Sequence, residues 1–187
     1  MNLKSCAIVL SFGIFAVLRP GTSQAADNEA STQTAEVLSK LHHSNQMEVA
    51  AGKLAQEKAQ SKDVKNFGKT LVTDHSAADK KVMALAKSEK IDLPADVPMP
   101  PEMDKVKAAS GAEFDKMFAS QMLDDHKKDI ADAKAARDAT TDAKLKTLLT
   151  STIPVLEKHR EIAQKLVDKL GPSASAGGAD VPPTAAK

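Results

Sequence analysis

Leu71-Val72-Thr73-Asp74-His75 decides how this chain is read. It lies within a stripe of Val64, Phe67, Leu71, His75, Ala78, Val82 and Leu85, spaced by threes and fours as on one face of an α-helix. His75 holds a central place on that stripe, where helices normally put leucine. Ser61 followed by Asp63 supplies a start signal, an acceptor for free amides and a carboxylate near the positive end of the helix dipole. Asp74 falls one step round the helix, at the edge of the apolar face.

The same oddity recurs on both sides of this helix. Upstream, about Thr34 to Ala59 is helical, with Val37, Leu41, Met47, Ala51, Leu54 and Ala55 on one broad face and Glu48 inside it. Gly52 on that side costs about 1 kcal/mol of helix propensity, which a close helix contact would justify. Downstream, a third helix from roughly Ala112 to Ala139 presents Phe114, Phe118, Met122, His126, Ile130 and Ala133, with Asp125 and Asp129 beside the histidine. A fourth runs from near Asp142 to Leu170, with Leu145, Leu148, Leu149, Thr152, Leu156, His159, Ile162, Ala163 and Leu166 inward. Pro154, taken as buried, is expected to kink it one turn before His159.

Four amphipathic helices and no alternating strand pattern make the fold all-α, a four-helix bundle. Between the second and third helices, Ile91 to Ser110 contains Pro94, Pro98, Pro100 and Pro101, with room for a short helix near Glu102 to Ala109. Twenty extended residues reach about 66 Å, whereas a 28-residue helix is about 42 Å long. The connection is long enough to run the length of the bundle, as in ferritin-like topology.

The ends are different in character. Lys4, the apolar run Ala7–Leu18 and Ser23-Gln24-Ala25 form a signal peptide over residues 1–25, so the mature chain is expected to be exported, most simply to the periplasm. The run is too short for a membrane span of about 20 residues. Residues 26–33 read as a flexible leader, 34–170 as the bundle, and the Gly-, Pro-, Ala- and Ser-rich stretch 171–187 as a disordered tail.

Composition narrows the function classes. The single cysteine, Cys6, lies in the signal, so the mature chain has neither disulfides nor thiolate metal ligands. Removing Lys4 and Arg19 takes the count from 26 basic against 25 acidic residues to 24 against 25, a net charge of −1. That balance argues against nucleic acid or an anionic membrane as a partner and leaves an envelope protein as the partner class. Neither a Gly-rich phosphate loop nor a Ser-His-Asp or Cys-His catalytic arrangement is present. The chain offers no catalytic motif.

Glu48, His75, His126 and His159 each lie within about three residues, or roughly 5 Å, of their helix midpoints. A midpoint stays in place whichever way its helix runs, so all four side chains can share one layer. Three imidazoles and a carboxylate suit one four-coordinate ion, Zn, Fe, Mn or Cu. Asp74 and Asp125 are placed to orient a histidine of a neighbouring helix. The alternative is a metal-free, mutually hydrogen-bonded Glu–His cluster in an envelope structural or interaction protein. A mononuclear metalloenzyme would further need an open coordination position. A di-iron centre would need Glu-x-x-His on two helices, and Val72, Leu123 and Leu156 stand where those glutamates belong. His42-His43 reads as a solvated or boundary pair, and Met47, Met83, Met117 and Met122 as core filler.

Glu48-Val49-Ala50-Ala51-Gly52-Lys53-Leu54-Ala55, Val64-Lys65-Asn66-Phe67-Gly68 through Leu71-Val72-Thr73-Asp74-His75, Gly111-Ala112-Glu113-Phe114-Asp115, Asp125-His126-Lys127 and Ile153-Pro154-Val155-Leu156-Glu157-Lys158-His159 together resemble the bacterial domain of unknown function 4142 family. The resemblance spans about residues 34–168. It implies a secreted or periplasmic ferritin-like four-helix bundle, typical of Gram-negative bacteria, and no established activity.

Overall fold

The computed structural model of the protein describes residues 22–95 and 102–171. The described residues form five helices: α1 Thr22–Lys58, α2 Lys62–Ser88, α3 Glu102–Ala108, α4 Gly111–Ala139 and α5 Ala143–Leu170. Residues 1–21 of the expected signal, Pro98, Pro100 and Pro101 of the connection, and the expected tail from residue 172 lie outside the described residues. None of the described helices is long and apolar enough to cross a membrane.

The first helix starts earlier than its apolar pattern suggests. Residues 26–33 are helical within α1, not a loose leader. The reason is backbone propensity: Ala25, Ala26, Glu29 and Ala30 are strong helix formers, and no proline or glycine intervenes before Gly52. The other starts follow capping chemistry. Ser61 accepts from the Asp63 amide at 3.3 Å, and Asp142 accepts from the amides of Lys144 at 2.8 Å and Leu145 at 3.1 Å. At the end of α2 the Ile91 amide reaches the Ala86 carbonyl at 2.9 Å while Lys90 adopts φ 58°, a left-handed cap that folds Ile91 back onto the core.

Helix directions follow from contacts at the ends. Asp63 pairs with Lys169, and Glu89 with Lys144, each at 2.6 Å, so α2 and α5 are antiparallel. Ala59 at the end of α1 bridges to Gly111 at the start of α4. Helices α2 and α4 therefore run the same way, so the end of α2 and the start of α4 lie at opposite ends of the bundle. α1 packs on α2 and α4 on α5, while α2–α5 and α1–α4 contacts close the ring.

Asp115, near the start of α4, locks this topology. Its buried carboxylate accepts from the backbone amides of Gln60 at 3.1 Å and Ser61 at 2.7 Å, which would otherwise be orphaned in the α1–α2 turn. Asp115→Ala should lower the unfolding free energy by about 2–3 kcal/mol, read from the urea midpoint, because charge-assisted bonds to buried amides are lost. Asp115→Asn, which retains an acceptor, should lose less.

Pro154 sits inside α5 on its exposed face, not in the core. The hydrogen bond it cannot donate falls on the solvent side, where water can serve the freed carbonyl, and α5 continues to Leu170.

The apolar core is divided in two. One cluster, at the α3 end, is built on Phe67, Phe114, Phe118, Met122, Ala163 and Leu166. The other, at the opposite end, is built on Leu38, Val82, Ile130, Leu145, Leu149 and Leu156. Asn45, Glu48, His75, His126 and His159 form a buried polar layer at mid-bundle. A core that interrupts itself with five polar side chains gives up apolar burial, and the arrangement persists only if those groups are paired.

Candidate metal centre

Helical period alone brings the three histidines inward. His75 stands one turn beyond Leu71 on α2, His126 one turn beyond Met122 on α4, and His159 near Leu156 on α5. Their exposures are 3 %, 1 % and 0 %. Ring centroids lie 5.7 Å apart for His75–His126, 5.2 Å for His75–His159 and 5.3 Å for His126–His159. One nitrogen from each ring falls within 4.8 Å of the others.

The hydrogen bonds on the outer nitrogens set the tautomers. His126 Nδ1 donates to the Met122 carbonyl at 2.8 Å. His159 Nε2 donates to the Asp74 carboxylate at 2.9 Å, and His75 Nδ1 to the Asn45 amide oxygen at 2.9 Å. Each partner is an acceptor, so each neutral ring has spent its only N–H outward. His126 Nε2 and His159 Nδ1, 3.3 Å apart, therefore face each other as two lone pairs with no proton between them. His75 Nε2 has no partner and is buried.

Three basic nitrogens turned toward a common space, each braced from behind by an acceptor, is the arrangement that positions histidine ligands around a metal. Two imidazole nitrogens on a tetrahedral zinc at about 2.05 Å would be about 3.4 Å apart. The His126–His159 spacing is already close to that. Phe67 closes the side toward the α3 end, its centroid 6.4 Å from His126 and 6.1 Å from His159.

Electrostatics oppose the alternative of filling the space with protons. Burial lowers the pKa of His75 to about 3, with repulsion from His159 and His126 adding to it. Burial also lowers His126 to about 4, against the pull of the Met122 carbonyl. His159 is lowered by burial as well, and Asp74 only partly restores it. A base whose folded pKa lies below its unfolded value of about 6.5 favours folding above pH 6.5, and that benefit is lost as pH falls toward the folded value. Between pH 6.5 and 4 the stability difference between wild type and His75→Gln should therefore move toward the variant by roughly 3 kcal/mol, measured by urea unfolding at each pH without metal.

The structure does not place Glu48 among these ligand atoms. Its Oε1 lies 3.6 Å from His126 Nδ1, behind the ring, and its buried Oε2 has no partner. Burial raises its carboxyl well above the usual range, and the charges of Asp125 and Asp129 raise it further. Of the two aspartates expected to brace histidines, Asp74 does so across helices. Asp125 instead accepts from Gln121 at 2.9 Å, bonds to no histidine among the described residues, and is raised to about 6 by burial.

The model of a family described as a domain of unknown function, DUF4142, matches residues 19–166. The chain belongs to the DUF4142 family. No curated protein and no solved structure matches it. The family description names no activity, so the chemistry of this DUF4142 protein rests on its own side chains.

Two positions escaped the sequence reading. Asn45, which holds His75, lies three residues before Glu48 on the inward face of α1, and that spacing was a usable signal. His42 is buried, not solvated, with Nδ1 2.6 Å from Asp79 and Nε2 3.1 Å from the Pro94 carbonyl, while His43 is exposed as expected. The inward face of α1 is thus turned slightly from the one its large apolar residues suggest. Leu38, His42, Asn45 and Glu48 are fully buried, and Val37, Leu41 and Met47 only partly. A pocket of about 570 Å³ opens between α1 and α4, with His75 and Asn45 among its lining residues.

Proposed function

We propose that this DUF4142 protein is an exported bundle of ferritin-like topology that binds one transition-metal ion through His75 Nε2, His126 Nε2 and His159 Nδ1. The observation that carries the reading is the set of outward-spent ring protons, which leaves three lone pairs in one buried space. Asn45, the Met122 carbonyl and Asp74 orient the rings, and Phe67 keeps water from one side. Three neutral imidazoles without thiolate favour zinc or copper(II), and binding falls off toward manganese in the usual divalent order. The role is metal binding or buffering in the cell envelope, with export resting on the N-terminal apolar run. The ion would supply Lewis acidity at a site the protein itself shields.

Element analysis of the purified protein tests this, alongside a His75→Ala, His126→Ala double variant. About one equivalent of zinc or copper is expected in the wild type after loading and removal of excess, and none in the variant. Equal, near-zero metal in both would leave the metal-free cluster as the correct reading.

A further inference from the structure

We propose that a second site, between α1 and α4, takes a hard divalent cation of the calcium class on the carboxylates of Glu48, Asp125 and Asp129. It uses none of the three histidines and does not rest on the metal reading above. The two helices are antiparallel, and the Ser44 hydroxyl donates to the Asp129 carboxylate across them. Four residues on along α1 and four back along α4, that register sets Glu48 opposite Asp125, about one helical turn away. Three carboxylates from two helices thus share one stretch of the interface.

Glu48 marks this stretch as a place for a ligand. Its side chain is buried and its Oε2 bonds to nothing, so that oxygen has given up its hydration with no return. It faces the two aspartates: their charges act on it, and the charge of Asp129 acts on Asp125, on top of the burial that raises all three carboxyls. Among the described residues no lysine or arginine pairs with any of the three, and Lys128 is committed to Asp132 at 2.7 Å. Each carboxylate keeps an oxygen to offer. Asp125 accepts from Gln121 on Oδ1 and Asp129 from Ser44 on Oδ2, which leaves Asp125 Oδ2 and Asp129 Oδ1 beside Glu48 Oε2.

Those oxygens are not drawn together as the imidazole nitrogens are, which is how like charges stand before a cation enters. Asp125 and Asp129 are half-buried, and Asp129 borders the α1–α4 pocket, so an ion can reach them with water still bound and the short side chains can turn onto it. Calcium suits these conditions better than magnesium. Its bonds of about 2.3–2.6 Å tolerate irregular geometry and water among the ligands, whereas magnesium demands a near-octahedral shell at about 2.0–2.1 Å.

Thermal unfolding of the full chain with calcium, and with magnesium at the same concentration, tests this. Calcium is an oxygen-seeking ion that an all-imidazole centre does not select, so it reads this site and not the histidines. With a dissociation constant of roughly 0.1–1 mM, the range of extracellular calcium modules, about 10 mM calcium should raise the Tm by at least about 3 °C. Magnesium should give less than about half of that rise. Glu48→Gln and Asp125→Asn keep the side-chain shapes and remove one charge each, and each should abolish the calcium rise; one folded variant suffices. No rise with calcium, an equal rise with magnesium, or a rise that survives in a folded variant overturns the proposal, and zinc uptake by the histidines stands or falls separately.

Discussion

Zinc at a hundredfold excess over its dissociation constant should raise the unfolding free energy by about 2.7 kcal/mol if the proposed site holds it, since the three rings meet only in the folded chain. For a domain of this length that is roughly a 10 °C rise in Tm. The rise should vanish when His75, His126 and His159 are all replaced by alanine. The depressed basicity of the site adds a second signature. Most metal sites built on histidine release protons on loading below pH 6.5, because free imidazoles are partly protonated. Here His75 and His126 are already neutral at pH 6, held to about 3 and about 4. Calorimetric titration at pH 6 in two buffers of different ionisation enthalpy should therefore return the same heat. A strongly buffer-dependent heat would mean that the rings bear protons before metal arrives, contrary to the hydrogen bonds that fix their tautomers.

Gly68→Ala should destabilise the protein by about 3 kcal/mol, where the same change in an isolated helix would gain about 1 kcal/mol. A Cβ on Gly68 would stand 2.6 Å from the Gly52 carbonyl oxygen and 2.9 Å from Ala55 Cβ. Gly52→Ala meets the matching obstacle, its Cβ 2.6 Å from the Gly68 carbonyl oxygen and 3.0 Å from Val72 Cγ2. Both obstacles are backbone, so relief requires α1 and α2 to move apart. The crossing lies seven residues from Asn45 on one helix and seven from His75 on the other, about 10 Å along each axis. Spreading the helices there should lengthen the 2.9 Å Asn45–His75 bond and weaken zinc binding as well as folding. Urea unfolding and zinc titration of the same variant check both effects. Unchanged stability would mean that the helices are not held at this contact.

Much of the architecture was legible because it is written in local periods and caps. Phe67, Leu71 and His75, or Phe118, Met122 and His126, recur at the helical period, and Ser61 and Asp142 carry their capping oxygens next to the amides they serve. The connection's length allows a crossover, and the Ala59–Gly111 contact sets the start of α4 at the opposite end of the bundle from the end of α2. The least legible helix was α1. Its inward residues are mostly small or polar, Thr34, His42, Asn45, Glu48, Ala51 and Ala55, so apolar periodicity points only loosely at its true face. That is why His42 and Asn45 were not seen as buried and why Glu48 was expected among the ligands. The local penalty of Pro154 predicts a kink from a buried position, yet the residue lies on the exposed face of α5.

What the sequence by itself determined is an all-α chain with three histidines on inward faces near mid-helix, because helix phase depends on residues within a turn or two. Which ring nitrogens meet was decided only by the tertiary structure. Asp74 reaches His159, Asn45 reaches His75, and Glu48 stands behind His126 because of how far each helix is rotated and raised against a neighbour distant in sequence. Those offsets are set by contacts such as the Gly52–Gly68 crossing and the Asp115 clasp. They turn three buried histidines into three lone pairs facing one space.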